Sequence, residues 1–196
     1  MTCIVGISEG GKVYIGGDSA GVSRYSLQVR ADRKVFLNEG IAFGFTTSFR
    51  MGQLLNHALK PPRRYPDVDI TKWMVTDFVN AIRDCLKVGG WAAKKEEVEE
   101  GGHFLVGYEG KLFGIHEDYQ VSEAIEGFDA AGCGEDFARG VLHATVGMEP
   151  RARILHALAI TERCCAGVRA PFYLVETGMA SGTPPSPPEP KRRGAR

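Results

Sequence analysis

No apolar run in the 196 residues approaches the roughly 20 that a membrane-spanning helix needs, and the amino terminus has neither the basic start nor the apolar stretch of a secretion signal. The expectation is a cytoplasmic protein with no membrane partner. Neither sign of charge is in excess, with Lys plus Arg and Asp plus Glu at 24 each, so nothing steers the chain as a whole towards nucleic acid. There is no C-x-x-C spacing: the cysteines are five, an odd number, and Cys164 and Cys165 are neighbours, which points to free thiols. The intervals among Cys133, His143, His156, Cys164 and Cys165 match no zinc finger or knuckle. Gly10-Gly11-Lys12 lacks the spacing and following helix of a phosphate loop, and Gly16-Gly17 makes no dinucleotide fingerprint. No metal and no cofactor are therefore expected. No serine-histidine triad is indicated either, and His57, His103 and His116 read as surface or hydrogen-bonded residues.

What is present is enough for one core. Hydrophobic residues make up 43% of the chain, and the apolar periodicity runs to about residue 176. One domain is expected over 2–176. Residues 177–196 carry five of the ten prolines and a basic end with almost nothing to bury, so they read as a disordered tail. That tail is either a solubilising extension or a polyproline or basic docking peptide.

Short β-branched runs at Cys3–Ile7 and Lys12–Gly17 flank Ser8-Glu9-Gly10-Gly11, a hairpin signal. Lys34–Leu37 and Ile41–Phe45 flank Asn38-Glu39-Gly40, read as a three-residue turn. Thr46-Thr47-Ser48 can cap a helix that Pro61-Pro62 stops. From Ile70 to about Leu86 apolar residues recur at three- and four-residue steps, one buried helical stripe. The charge run Lys94–Glu100 reads as a solvated helix end or loop. Strands are expected again at His103–Tyr108, Lys111–Ile115, Ser122–Ile125 and Phe128–Ala131, then helices at Glu135–Val146 and Pro150–Cys165, then a strand at Pro171–Val175. Strands, two helices, strands, two helices and a strand suit an α+β fold of two stacked antiparallel sheets with a helical layer on each outer face.

The first hairpin has a chemical consequence. A turn centred on Gly10 pairs Ser8 with Lys12 and, by antiparallel counting, Thr2 with Asp18; slipping the turn shifts the partner by about one. The next strand opens with Lys34, which can approach Asp18 from the far side. Once Met1 is removed, Thr2 carries a hydroxyl and an α-amine together. A neutral α-amine, of pKa near 8, suits a general base for that hydroxyl. A lysine ammonium favours the alkoxide, and Asp18 orients and compensates the lysine.

Thr2-Cys3-Ile4-Val5-Gly6-Ile7, Ile15-Gly16-Gly17-Asp18 and Arg33-Lys34-Val35 resemble the proteasome β-subunit family, closest to its bacterial heat-shock-locus peptidase branch. Thr2, Asp18 and Lys34 match that family's intervals of sixteen and thirty-two residues between threonine, aspartate and lysine. The resemblance continues through Gly44-Phe45-Thr46-Thr47 and Ala131-Gly132-Cys133-Gly134. It implies the four-layer αββα sandwich of an N-terminal-nucleophile (Ntn) hydrolase and threonine peptidase or amidohydrolase activity on a peptide or small amide. It also implies self-assembly into a ring or related multimer, with an ATP-dependent unfoldase as a further partner to test.

Three positions depart from the family pattern. Thr47 falls where the family has glycine, beside the oxyanion donor. Cys133, flanked by Gly132 and Gly134, replaces the serine that supports the N-terminal amine. Glu162-Arg163 stands where an aspartate and a serine or threonine are usual. Thr47, Gly132, Cys133 and Glu162 are therefore the expected supporting or oxyanion positions. The alternative function is a catalytically silent assembly protein that retains the fold.

Overall fold

A computed structural model describes residues 1–91, 93–95 and 98–178, with backbone alone at 93–95, 98 and 99. The strands at its centre are apolar on both faces. In β1 (Ile4–Glu9), Ile4 points one way and Val5 and Ile7 the other, and all three are buried. In β6 (Ile41–Phe45), Ile41, Phe43 and Phe45 face one side while Ala42 and Gly44 face the opposite one. The period of two thus serves two cores at once, which a strand requires when both its faces are covered.

Two antiparallel sheets result. In chain order the strands are β1, β2 (Lys12–Gly17), β3 (Ala20–Ser23), β4 (Ser26–Val29), β5 (Val35–Asn38), β6, β7 (Ala93–Lys95), β8 (Val98–Glu100), β9 (Phe104–Tyr108), β10 (Lys111–Ile115), β11 (Val121–Glu123), β12 (Phe128–Ala131) and β13 (Tyr173–Glu176). The four-stranded sheet has the order β12-β1-β2-β13, and the five-stranded sheet β11-β10-β9-β6-β5. Ile4, Val13, Ile15, Val35, Ala42, Leu105 and Leu112 fill the space between them. The sheets approach closely at Gly44, where a Cβ would lie 2.4 Å from Ile4 Cγ2 and 2.6 Å from Ile15 Cγ2. Glycine is needed there for that contact.

Helices cover both outer faces. On the five-stranded sheet lie α1 (Phe49–His57), capped by Ser48 accepting from the Arg50 N–H, and a long segment entered at the Asp69 cap. That segment runs as α2 (Ile70–Trp73), a π-helical turn (Met74–Phe78) and α3 (Val79–Val88). Its apolar stripe Ile70, Met74, Phe78, Ile82, Leu86 steps by four throughout. On a 3.6-residue helix each such step drifts about 40°. The wider π turn takes up the drift, so that Met74, Phe78, Ile82 and Leu86 are all buried. On the four-stranded sheet lie α4 (Glu135–Ala144) and α5 (Pro150–Cys164), packed through Ala138, Leu142, Ile154, Ala157 and Leu158.

The four-layer α+β sandwich expected from the element order is the observed architecture. Several local expectations are corrected. The β1–β2 turn is the two-residue Gly10-Gly11, with Ser8 opposite Val13, one step from the predicted pairing. Asn38 pairs with Ile41, so that turn is Glu39-Gly40 and has two residues instead of three. Both turns have positive φ at each central residue, the geometry that suits right-twisted hairpins. Of the charge run, Lys94–Lys95 and Val98–Glu100 are paired strand in β7 and β8, with Lys94 opposite Glu99 in register, and so are not helix end or loop; residues 96 and 97 lie outside the described residues. The β3–β4 hairpin has no counterpart in the expected elements, because β4 is exposed throughout and so has no one-faced apolar alternation. Of the predicted tail, residues 179–196 lie outside the described residues.

Candidate active site

One end of the sandwich gathers strand ends from both sheets. Thr2 lies two residues before β1, Asp18 follows β2 and Cys133 lies just beyond β12. From the other sheet, Lys34 precedes β5 and Thr46 follows β6. The β1–β12 register, with Ile4 opposite Ala131, carries on to set Thr2 beside Cys133. The β1–β2 register, with Ile4 opposite Gly17, sets Cys3 opposite Asp18. Antiparallel pairing within one sheet therefore delivers hydroxyl, carboxylate and thiol, and sheet stacking delivers the lysine.

Lys34 Nζ donates to Thr2 Oγ1 at 2.9 Å and to Asp18 Oδ1 at 2.8 Å. The Lys34 and Asp18 side chains are 1% and 0% exposed, so this ion pair is shut away from water. Asp18 is held by the backbone as well. Its Oδ1 accepts from the Cys3 N–H at 3.0 Å, and its Oδ2 from those of Ala20 at 2.8 Å and Arg169 at 3.2 Å. A buried carboxylate persists only when so satisfied. Burial lowers the Lys34 ammonium from its usual range, and the Asp18 charge opposes that shift. Cys3, facing the helical layer, is pushed up beyond the ordinary thiol range by burial first and the Asp18 charge second. It is an inert core thiol.

The Thr2 backbone N–H donates to Cys133 Sγ at 3.2 Å, and the Cys133 thiol donates back to Thr2 O at 3.4 Å. Met1 is exposed and seated beside Gly167 and Cys133, and the Thr2 hydroxyl donates to its carbonyl at 2.5 Å. Gly132, at φ +100°, lets this junction close: a Cβ there would lie 2.4 Å from Thr2 O. The Gly132 N–H is already taken by Glu135 Oε2 at 3.0 Å. Thr47 has φ +57°, a left-handed backbone that glycine adopts without strain. Its hydroxyl accepts from the His103 N–H at 3.1 Å, and its own N–H finds no acceptor among the described residues. Glu162 stands back from Thr2: its carboxylate accepts from the Ala170 N–H at 3.0 Å and so holds the segment whose Arg169 N–H reaches Asp18.

Thus Thr2, Asp18, Lys34 and Cys133 come together, Gly132 borders them beside Thr2 O and Thr46, Thr47 follows Thr46 and bonds to His103, and Glu162 reaches them through the 169–170 backbone. Two elements of the cluster were missed in the sequence: the Arg169 amide and Cys165, whose Sγ is 3.4 Å from Cys133 Sγ. A backbone donor leaves no mark in side-chain type, and Cys165 lies thirty-two residues from its partner. Among the described residues no group of three or more His, Cys, Asp or Glu side chains could hold a metal ion. Nor is any helix among them long and apolar enough to cross a membrane.

No protein-family model matches the sequence, and no curated protein does. Solved structures do match in shape. BPH from Thiobacillus denitrificans superposes with a TM-score of 0.75 at 16% identity, over 90% of this chain and 97% of that one, and it is also known in complex with epoxomicin. HslV from Trypanosoma brucei gives 0.64 at 16% identity, over 89% and 98%. A Gly-1 mutant of Anbu from a Hyphomicrobium strain gives 0.66 at 14% identity, over 89% and 80%. The chain thus has the proteasome-type N-terminal-nucleophile hydrolase fold.

Proposed function

We propose that this protein is a threonine-type peptidase or amidohydrolase whose nucleophile is Thr2 after loss of Met1. The observation that carries the reading is the buried Thr2–Lys34–Asp18 chain at the mouth of the fold. An ammonium sealed from water with a single hydroxyl and a single carboxylate is costly to maintain and has an evident chemical use. With Met1 gone, the Thr2 hydroxyl loses its carbonyl partner and can pass its proton to the new α-amine. Lys34 stabilises the developing alkoxide, and Oγ1 attacks the substrate carbonyl. The oxyanion is assigned to the Thr47 N–H, which has no acceptor of its own among the described residues. The thiol of Cys133 supports the amine where a hydroxyl would do so more strongly.

The resemblance supports action on peptides or small amides within a ring or related homo-oligomer in the cytoplasm, with an ATP-dependent unfoldase as a possible partner class. Thr47 in a left-handed conformation and the thiol at position 133 favour the second reading, a silent assembly protein. Intact mass and N-terminal sequencing, with and without a peptide epoxyketone, separate the two. A free Thr2 that gains the inhibitor mass establishes the nucleophile. A retained Met1, or a free Thr2 that stays unlabelled, favours the scaffold.

A further inference from the structure

The Thr2 amine is bordered by a pair of thiols that the proposed chemistry does not consume. Cys133 Sγ, which accepts from the Thr2 N–H at 3.2 Å, lies 3.4 Å from Cys165 Sγ, and Cys165 Sγ is 3.6 Å from Cys133 O. Cys133 is held at the β12–α4 junction and Cys165 closes α5, where its N–H reaches Thr161 O. Both are free, Cys133 exposed and Cys165 half-buried, so oxidants can reach them. Two thiols at van der Waals contact on anchored backbones need little movement to bond.

We propose that Cys133 and Cys165 form a modification site that takes a hydroperoxide and closes to a reversible disulfide, switching off the Thr2 amine. With hydrogen peroxide, one thiolate attacks a peroxide oxygen, the O–O bond breaks, and a sulfenic acid and hydroxide form, an organic hydroperoxide releasing its alkoxide instead. The second thiolate attacks that sulfur, the S–O bond breaks, the S–S bond forms, and a second hydroxide leaves. The two thiol protons neutralise the two hydroxides. With hydrogen peroxide the products are one disulfide and two waters, the sulfurs having given up two electrons that reduce the peroxide. Burial holds the Cys133 thiol above its ordinary range, so the reaction quickens as pH rises.

The bond draws the Cys133 sulfur towards Cys165 and removes its proton, so Thr2 O loses a donor and the amine loses its present partner. This gating rests on Thr2 being the nucleophile, whereas the bond itself does not. The test is intact mass of the full chain, first reduced, then treated with hydrogen peroxide. The expected result is loss of two hydrogens per chain, reversed by dithiothreitol, with peptide mapping on the unmutated protein joining the Cys133 peptide to the one carrying Cys165. Cys165→Ser, checked for an unchanged thermal transition, abolishes the loss, and Cys164→Ser retains it. Epoxyketone labelling of Thr2 slows about tenfold in the oxidised chain, the scale of one lost hydrogen bond. No loss of hydrogens, or a loss that survives Cys165→Ser, overturns the site. Labelling at the reduced rate after oxidation overturns the gating. A chain that takes no epoxyketone even when reduced removes the Thr2 reading and the gating with it, and the bond then stands or falls on mass alone.

Discussion

Lys34 is the residue on which the proposed chemistry and the stability both turn. Among the described residues its ammonium is ion-paired with Asp18 alone, so Asp18→Ala leaves a buried charge unpaired and is expected to cost about 3–5 kcal/mol, read by denaturant unfolding. Thr2→Ala, correctly processed, is expected to reduce turnover on the order of ten-thousand-fold with an unchanged thermal transition. Lys34→Arg keeps the charge but not the shape, and is expected to cost roughly a hundredfold in labelling rate. The pH profile follows from two groups. The rate rises as the α-amine loses its proton, near pH 8 for an ordinary amine. It falls again as Lys34 loses its own, below the usual 10.5 because burial lowers it. The same shift bears on stability. The unfolded chain keeps the Lys34 proton at pH values where the folded chain has released it, so this group's contribution to stability grows as pH rises from the lowered value to 10.5. An alkaline limb at or above 10.5 would contradict the lowered lysine.

At the scale of elements, strand glycines set how closely the layers pack. Gly16 faces α5, where a Cβ would lie 2.3 Å from Ile154 Cγ2. Gly16→Ala is expected to destabilise by about 1–3 kcal/mol, since neither the central strand nor the buried isoleucine has room to yield. In the β5–β6 turn the effect has the opposite sign. Glu39 is exposed and sits at φ +49°, where asparagine is far better tolerated. Glu39→Asn is expected to stabilise by roughly 0.5 kcal/mol, measured by the shift in denaturant midpoint.

Over the whole molecule, apolar side chains remain on surfaces that the fold itself does not cover. Tyr25, Leu27 and Val29 are exposed on the β3–β4 hairpin, and Phe137, Val146, Met148 and Leu155 on the α4–α5 layer. Such surfaces suit contacts between copies of the chain. Sedimentation at micromolar concentration is expected to show a multimer, and Tyr25→Ser with Leu27→Ser to shift it towards smaller species. A monomer in both proteins would remove the assembly reading.

Much of this was legible in the residues. Periodicity located the core strands and helices, because a side chain's face follows from its position in an element, and the intervals between Thr2, Asp18 and Lys34 named the cluster before any coordinate. Local signals also have limits. The registers of the β1–β2 and β5–β6 hairpins depended on which residues took positive φ, and the β3–β4 hairpin was hidden because β4 carried no buried face to betray it. Tertiary structure alone decided what crosses between elements distant in sequence: the Arg169 amide on Asp18, the thiol of Cys165 against Cys133, and Glu162 turned to Ala170 instead of Thr2. Sequence spacing reports neighbours along one strand or helix, whereas these contacts arise where the end of α5 and its following loop meet the sheet ends, a geometry fixed only when the layers pack.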